Sequence, residues 1–158
     1  MFRHHTHAAA WVRAVLRQRL SRSIDWSTFQ PAHGRTTGLR LRAHHADLVF
    51  SAKLLGSHQL VLFVIEHKSS PDGDLHWQVL RYSVHLAHTT QRRRGERPLS
   101  LPLALTHGGA PITTTAWPAV PPDVAAEFAP HQPKLELLVD DLSASTEGEL
   151  LARDLPAL

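Results

Sequence analysis

Six consecutive apolar residues, Leu60 to Ile65 (LVLFVI), constrain this chain more than any other stretch. The run is β-branched and aromatic, and it is bounded by polar residues on both sides. It predicts a strand buried on both faces of a sheet. A strand covered twice needs helices on each side of its sheet. The expected class is therefore α/β, with a mixed central sheet flanked by helices.

A second β-rich stretch, Ala46 to Leu55, precedes it. Gly56-Ser57 lies between the two, and glycine at the first central position suits a two-residue type II′ turn. The hairpin is thus predicted over Ala46–Leu55 and Gln59–His67. With that turn, Leu55 pairs with His58, and Asp47 falls opposite Glu66. Opposed residues on antiparallel strands share a face, with Cβ atoms about 4.5–5.5 Å apart. Lys68 lies two residues beyond Glu66 and keeps to the same face, whereas His67 points away. A slip of one residue would turn Asp47 to the other side.

Two carboxylates this close repel unless a cation lies between them. Mg²⁺ (or Mn²⁺) takes oxygen ligands, commonly one or two carboxylates with water and phosphate. A lysine beside such a pair can orient the attacking water or help deprotonate it. Asp47 and Glu66 as metal ligands, with Lys68 beside them, suit metal-assisted hydrolysis of a phosphodiester. On the residues alone, a solvated strand end bridged by the lysine explains the pattern equally well.

The polar break SSPDGD, Ser69 to Asp74, is a turn. Asp72 and Asp74 could pass for further metal ligands, but the favoured role of Asp74 is N-cap of the next helix. That helix is predicted from Leu75 to about Gln91. Trp77, Leu80, Val84 and Ala87 form one apolar stripe, and Leu75, Val79, Tyr82 and Leu86 another, so a wide face should be buried. Gln78, Arg81 and His85 form a polar row. If the first turn faces the end of the Glu66 strand, Gln78 can reach the site. QRRRGER follows, and Arg92, Arg93, Arg94 and Arg97 read either as a solvated helix end or as a patch for a DNA backbone.

The segments ADLVFSAKL, VLFVIEHKSSPD and WQVLRYSVHL, with LPLALTHGGAP further on, resemble the Rpn family of recombination-promoting nucleases, the YhgA-like putative transposases. The order Asp, hairpin, Glu-x-Lys, helix with Gln is similar to the PD-(D/E)XK nuclease superfamily. The resemblance runs from about Ala8 to the end and implies one domain over 1–158 with a restriction-endonuclease-like core. It implies a Mg²⁺-dependent DNA endonuclease that promotes recombination, in which Asp47, Glu66, Lys68 and Gln78 are catalytic. Members commonly continue further, so this chain is expected to be shortened relative to them.

The N-terminal residues from His7 to Leu20 predict a helix with Ala8, Trp11, Val15, Leu16 and Leu20 inward. First helices in that superfamily often add an acid, and this one has none. Ser21 to Leu39 is irregular, with Pro31, Gly34 and Gly38 breaking a loose alternation of Ile24, Trp26 and Phe29. These departures support a second expectation, a catalytically inactive remnant that still binds DNA. A strand is expected to begin near Leu39. Further strands are predicted at Leu99–Thr106, with Pro102 tolerated near an edge, and at Leu135–Val139. A short helix is predicted at Pro122–Phe128, and a helical tail from Leu142.

Composition sets outer bounds. The absence of cysteine excludes disulfides and thiolate metal sites, and agrees with a cytoplasmic location. No apolar run of membrane-spanning length and no signal-peptide core is present. The net charge of +3 is mostly arginine in origin, which suits phosphate contact but equally follows from GC-rich coding. Thirteen histidines raise a metal reading. His44 and His45 are adjacent and so cannot share one strand face.

Overall fold

A computed structural model of the protein describes residues 5–32, 48–70, 72–107 and 121–153. Its centre is a five-stranded mixed sheet in chain order, β1 (Ile24–Pro31), β2 (Leu48–Leu54), β3 (Leu60–Lys68), β4 (Leu99–Thr106) and β5 (Leu138–Asp141). β1 pairs with β2 and β2 with β3 antiparallel, whereas β3 pairs with β4 and β4 with β5 parallel. A parallel step needs a crossover, and α3 (Leu75–Arg94) supplies it between β3 and β4. The remaining helices are α1 (His5–Val15), α2 (Gln18–Arg22), α4 (Pro122–Phe128) and α5 (Glu147–Leu151).

The apolar run does what its composition demands. Every residue from Leu60 to Ile65 is buried. Val61, Phe63 and Ile65 point into the larger core, with Ala8, Trp11 and Val12 of α1, Phe29 of β1 and Phe50 of β2. Phe29 stacks on Phe50 with ring centroids 5.0 Å apart. The opposite face carries a smaller core, Leu75 and Val79 of α3 against Ala104 and Leu137. Ala104 is the β4 neighbour of Glu66. Laterally paired residues share a face, so Glu66 lies on the α3 side of the sheet.

The hairpin register is the expected one, with Leu48 opposite Ile65 and Lys53 opposite Leu60. The turn differs. The Ser57 N–H donates to the Leu54 carbonyl at 3.1 Å, and Leu54 donates to Gln59 at 3.0 Å. Gly56 is therefore the third residue of the turn, at φ +70°, and the loop has two more residues than a II′ hairpin. Lengthening by one residue on each side leaves the pairing unchanged.

Four other expectations change. The first helix breaks at Arg17, whose ψ of 140° is extended, before α2 resumes. The irregular segment contains β1. Its pairing to β2 shifts between Asp25 and Gln30, and side chains fill the gap. Asp25 accepts from the Ser27 N–H and hydroxyl, and the Thr28 hydroxyl accepts the Lys53 N–H at 2.9 Å. The last strand starts at Leu138 rather than Leu135, because it pairs with β4 only from Leu103 onward. On α3 only one stripe is buried: Trp77 and Val84 are 40% and 61% exposed, while His76 and Ser83 turn inward.

Pro102 sits where a missing N–H does no harm. It neighbours Val64 on one side, and β5 does not pair until the next residue. The helix at Pro122–Phe128 is as expected. The expected strand at Leu39, the pair His44–His45 and Asp47 lie outside the described residues. No helix among the described residues is long and apolar enough to cross a membrane.

Candidate active site

The end of β3 is where the core stops and charge begins. Glu66 is 5% exposed, the last strand residue before the solvent-facing end. Lys68 follows on the same face. Residues 73 and 74 turn into α3, which runs back over that face. This reversal carries the first turn of α3 to the strand end.

Four side chains meet there. The Lys68 ammonium lies 3.5 Å from Glu66 Oε1 and 2.7 Å from Asp72 Oδ2. It donates to Gln78 Oε1 at 3.1 Å, and Gln78 Nε2 donates to Asp72 Oδ2 at 3.1 Å. Asp72 Oδ1 accepts the Asp74 N–H at 2.9 Å, which anchors the carboxylate to its own turn. Glu66, Lys68 and Gln78 are thus brought together as the spacing suggested. Asp47 lies outside the described residues, although its neighbour Leu48 has the expected partner, Ile65.

Asp72 holds a role that its sequence pattern did not assign to it, as the partner of Lys68 and Gln78. The favoured role went to Asp74, which does occupy the N-cap position of α3 but makes no capping hydrogen bond with its side chain. Asp72 instead forms the Asx turn that orders the segment. Its position before Gly73-Asp74 was the only local signal, and that signal does not say where the free oxygen points.

Electrostatics agree with this geometry. Burial alone would lower the Lys68 pKa, but the hydrogen bond to Asp72 and the charges of Glu66 and Asp72 outweigh it and raise it. Asp72 is held below the usual carboxylate range, first of all by the hydrogen bond from Lys68. The lysine is therefore a firm cation at neutral pH.

The arginines lie elsewhere. Arg92, Arg93 and Arg94 form the exposed last turn of α3, ended by Gly95 at φ +77°. Arg97 is also exposed, and its carbonyl accepts from Gln59 beside the hairpin loop. At 1.5 Å per residue, Arg94 lies about 24 Å along the helix from Gln78. The basic cluster and the Glu66 cluster thus mark opposite ends of α3. Among the described residues no three His, Asp or Glu side chains are grouped to hold a metal ion.

Comparison with known proteins supplies the lineage. The family described as "Putative transposase, YhgA-like" matches residues 1–157. The chain belongs to that family. It is 32% identical over 71 residues to the recombination-promoting nuclease RpnD of Escherichia coli O157:H7, covering 44% of this chain and 27% of that protein. It is 28% identical over 87 residues to the recombination-promoting nuclease RpnC of Escherichia coli strain K12, covering 54% of this chain and 29% of that protein. These matches span less than a third of each relative's length. No solved structure matches the chain.

Proposed function

We propose that this YhgA-like protein is a metal-dependent DNA endonuclease of the PD-(D/E)XK type, acting in recombination. The observation that carries the reading is the convergence of Glu66, Lys68 and Gln78 at one end of β3, on the face that α3 covers. The names of the two relatives support a nuclease, and family membership supports a role in DNA rearrangement.

The donor set suits a hard divalent cation. Glu66 offers carboxylate oxygens at the rim of the core, and the neighbouring groups are oxygen donors and an ammonium, with no thiolate. Mg²⁺ or Mn²⁺, when bound, would lower the pKa of water and neutralise charge on a phosphate. Glu66 would hold the ion, with Asp47 as the second carboxylate that the sequence pairing assigns. Lys68 keeps its proton, so its role is to orient water and stabilise the negative charge that develops on phosphate oxygens. Gln78 accepts from the ammonium and offers an amide to water or substrate. The arginine cluster at the far end of α3 would contact the DNA backbone.

The test is cleavage of supercoiled plasmid with and without Mg²⁺, by wild type and by Glu66→Ala. Nicking that requires both the ion and Glu66 is the expected result. Metal-dependent nicking that persists in Glu66→Ala would overturn the site. A second reading has one structural observation in its favour, the lack of any carboxylate on α1. A folded wild type that binds DNA in a salt-sensitive way but cuts in neither Mg²⁺ nor Mn²⁺ would establish the non-catalytic remnant instead.

A further inference from the structure

We infer that Asp72 is a positioning residue for Lys68 and Gln78, which rests on the nuclease reading for its catalytic consequence. An ammonium has three N–H donors. In this structure three acceptors surround that of Lys68, namely Asp72 Oδ2, Gln78 Oε1 and Glu66 Oε1. Asp72 makes the shortest of these contacts, at 2.7 Å. The same oxygen also accepts from the Gln78 amide, closing a ring of three side chains.

The ring matters because lysine is otherwise a poor positioning device. Its stem has four rotatable carbons and carries a point charge that does not select one direction. Glu66 alone would leave that freedom largely intact. Gln78 is itself free to rotate, and its amide must be the right way round to accept from Lys68. Asp72 settles both at once. By accepting from Gln78 Nε2 it forces Gln78 Oε1 toward the lysine, and by accepting from Lys68 it draws the ammonium toward the start of α3. Its other oxygen is tied to the Asp74 N–H, so the clamp is fixed to the backbone at the helix entrance. The anchor is thus independent of β3, which carries Glu66 and Lys68. Through Asp72, the geometry of the turn between β3 and α3 becomes the geometry of the lysine.

Two readouts on the full chain test this. In plasmid cleavage, Asp72→Ala should lower kcat by about 10- to 100-fold, the cost typical of a misaligned reacting group, while KM for DNA stays near the wild-type value. Asp72→Asn should fall between the two, since its amide oxygen can still accept but carries no charge. The second readout needs no activity. Reductive methylation followed by mass spectrometry compares Lys68 with the exposed Lys53 and Lys134. Lys68 should react slowest in the wild type, and its rate should rise toward the other two in Asp72→Ala.

Wild-type kcat in a folded Asp72→Ala, with Glu66→Ala inactive, would overturn the inference and leave the nuclease reading standing. If the wild type cleaves nothing, the nuclease reading falls and the labelling decides the clamp. An unchanged Lys68 rate in Asp72→Ala or Asp72→Asn would then remove it. Should Asp72→Ala fail to fold, Asp72→Asn carries both readouts.

Discussion

Lys68 and Asp72 form an ion pair whose pH behaviour follows from the direction of each shift. Lys68 sits above its ordinary value of 10.5. It stabilises the fold at every pH below 10.5 and loses that contribution as pH rises through its higher folded pKa. Asp72 sits below its ordinary 3.8. It stabilises above 3.8 and loses that contribution as pH falls through its lower folded pKa. The pair is consequently constant across the neutral range. The stability difference between wild type and Asp72→Asn should stay level from about pH 5 to 9, and shrink in stronger acid and in alkali that deprotonates Lys68. Urea titrations at several pH values check this, and a difference that shrinks already near neutrality would refute it.

At the scale of elements, α3 does two separate things. Its first turn completes the charged cluster at the end of β3, and its last turn presents three arginines to solvent. If those arginines touch a DNA backbone, replacing Arg92, Arg93, Arg94 and Arg97 by alanine should weaken binding to all sequences alike. The slope of log affinity against log salt should fall by about one for each phosphate that the variant leaves unneutralised. Glu66→Ala, at the other end, should leave that slope unchanged. Binding isotherms at three or more salt concentrations decide it, and an unaltered slope in the fourfold variant would remove the arginines from the interface. The β1 bulge shows a different use of an element. Asp25, Ser27 and Thr28 satisfy one another and the Lys53 N–H where the ladder is interrupted, so an irregular sequence still closes the edge of the sheet.

At the scale of the molecule, Asp140 joins parts of the chain that are distant in sequence. It is 8% exposed and accepts the Trp11 indole N–H at 2.7 Å. Arg153 binds both its oxygens through Nη1, at 2.9 and 2.7 Å, and reaches the Ser145 hydroxyl with Nη2. One carboxylate thereby ties α1, β5 and the segment after α5 together on the face opposite Glu66. Removing one partner of a buried pair leaves the other charge uncompensated. Asp140→Ala should cost about 3 kcal/mol or more, measured as a lowered urea midpoint with unchanged slope. A destabilisation under about 1 kcal/mol would show that Arg153 and Trp11 find water instead.

Local chemistry alone determined the elements with one clear period. The apolar run made β3, the glycine before it allowed the reversal, and the register followed because the loop grew equally on both sides. The spacing of Glu66, Lys68 and Gln78 was legible for the same reason, since strand alternation and a helix entered six residues later leave few arrangements. Family resemblance, through its ordered segments, pointed to the lineage before any geometry. Tertiary structure alone decided what depends on groups far apart or on rotamers. It selected which stripe of α3 is buried, because a sheet offers one face to a crossing helix and Trp77 and Val84 fall outside that contact. It placed β1, whose bulge hides the period of two. It aimed the Asp72 carboxylate at Lys68, a direction set by where the turn docks and not by the residues within it. Asp140 makes the same point most plainly: its two partners lie 129 and 13 positions away, and only the packing of α1 and the chain after α5 on one face of the sheet brings them to one carboxylate.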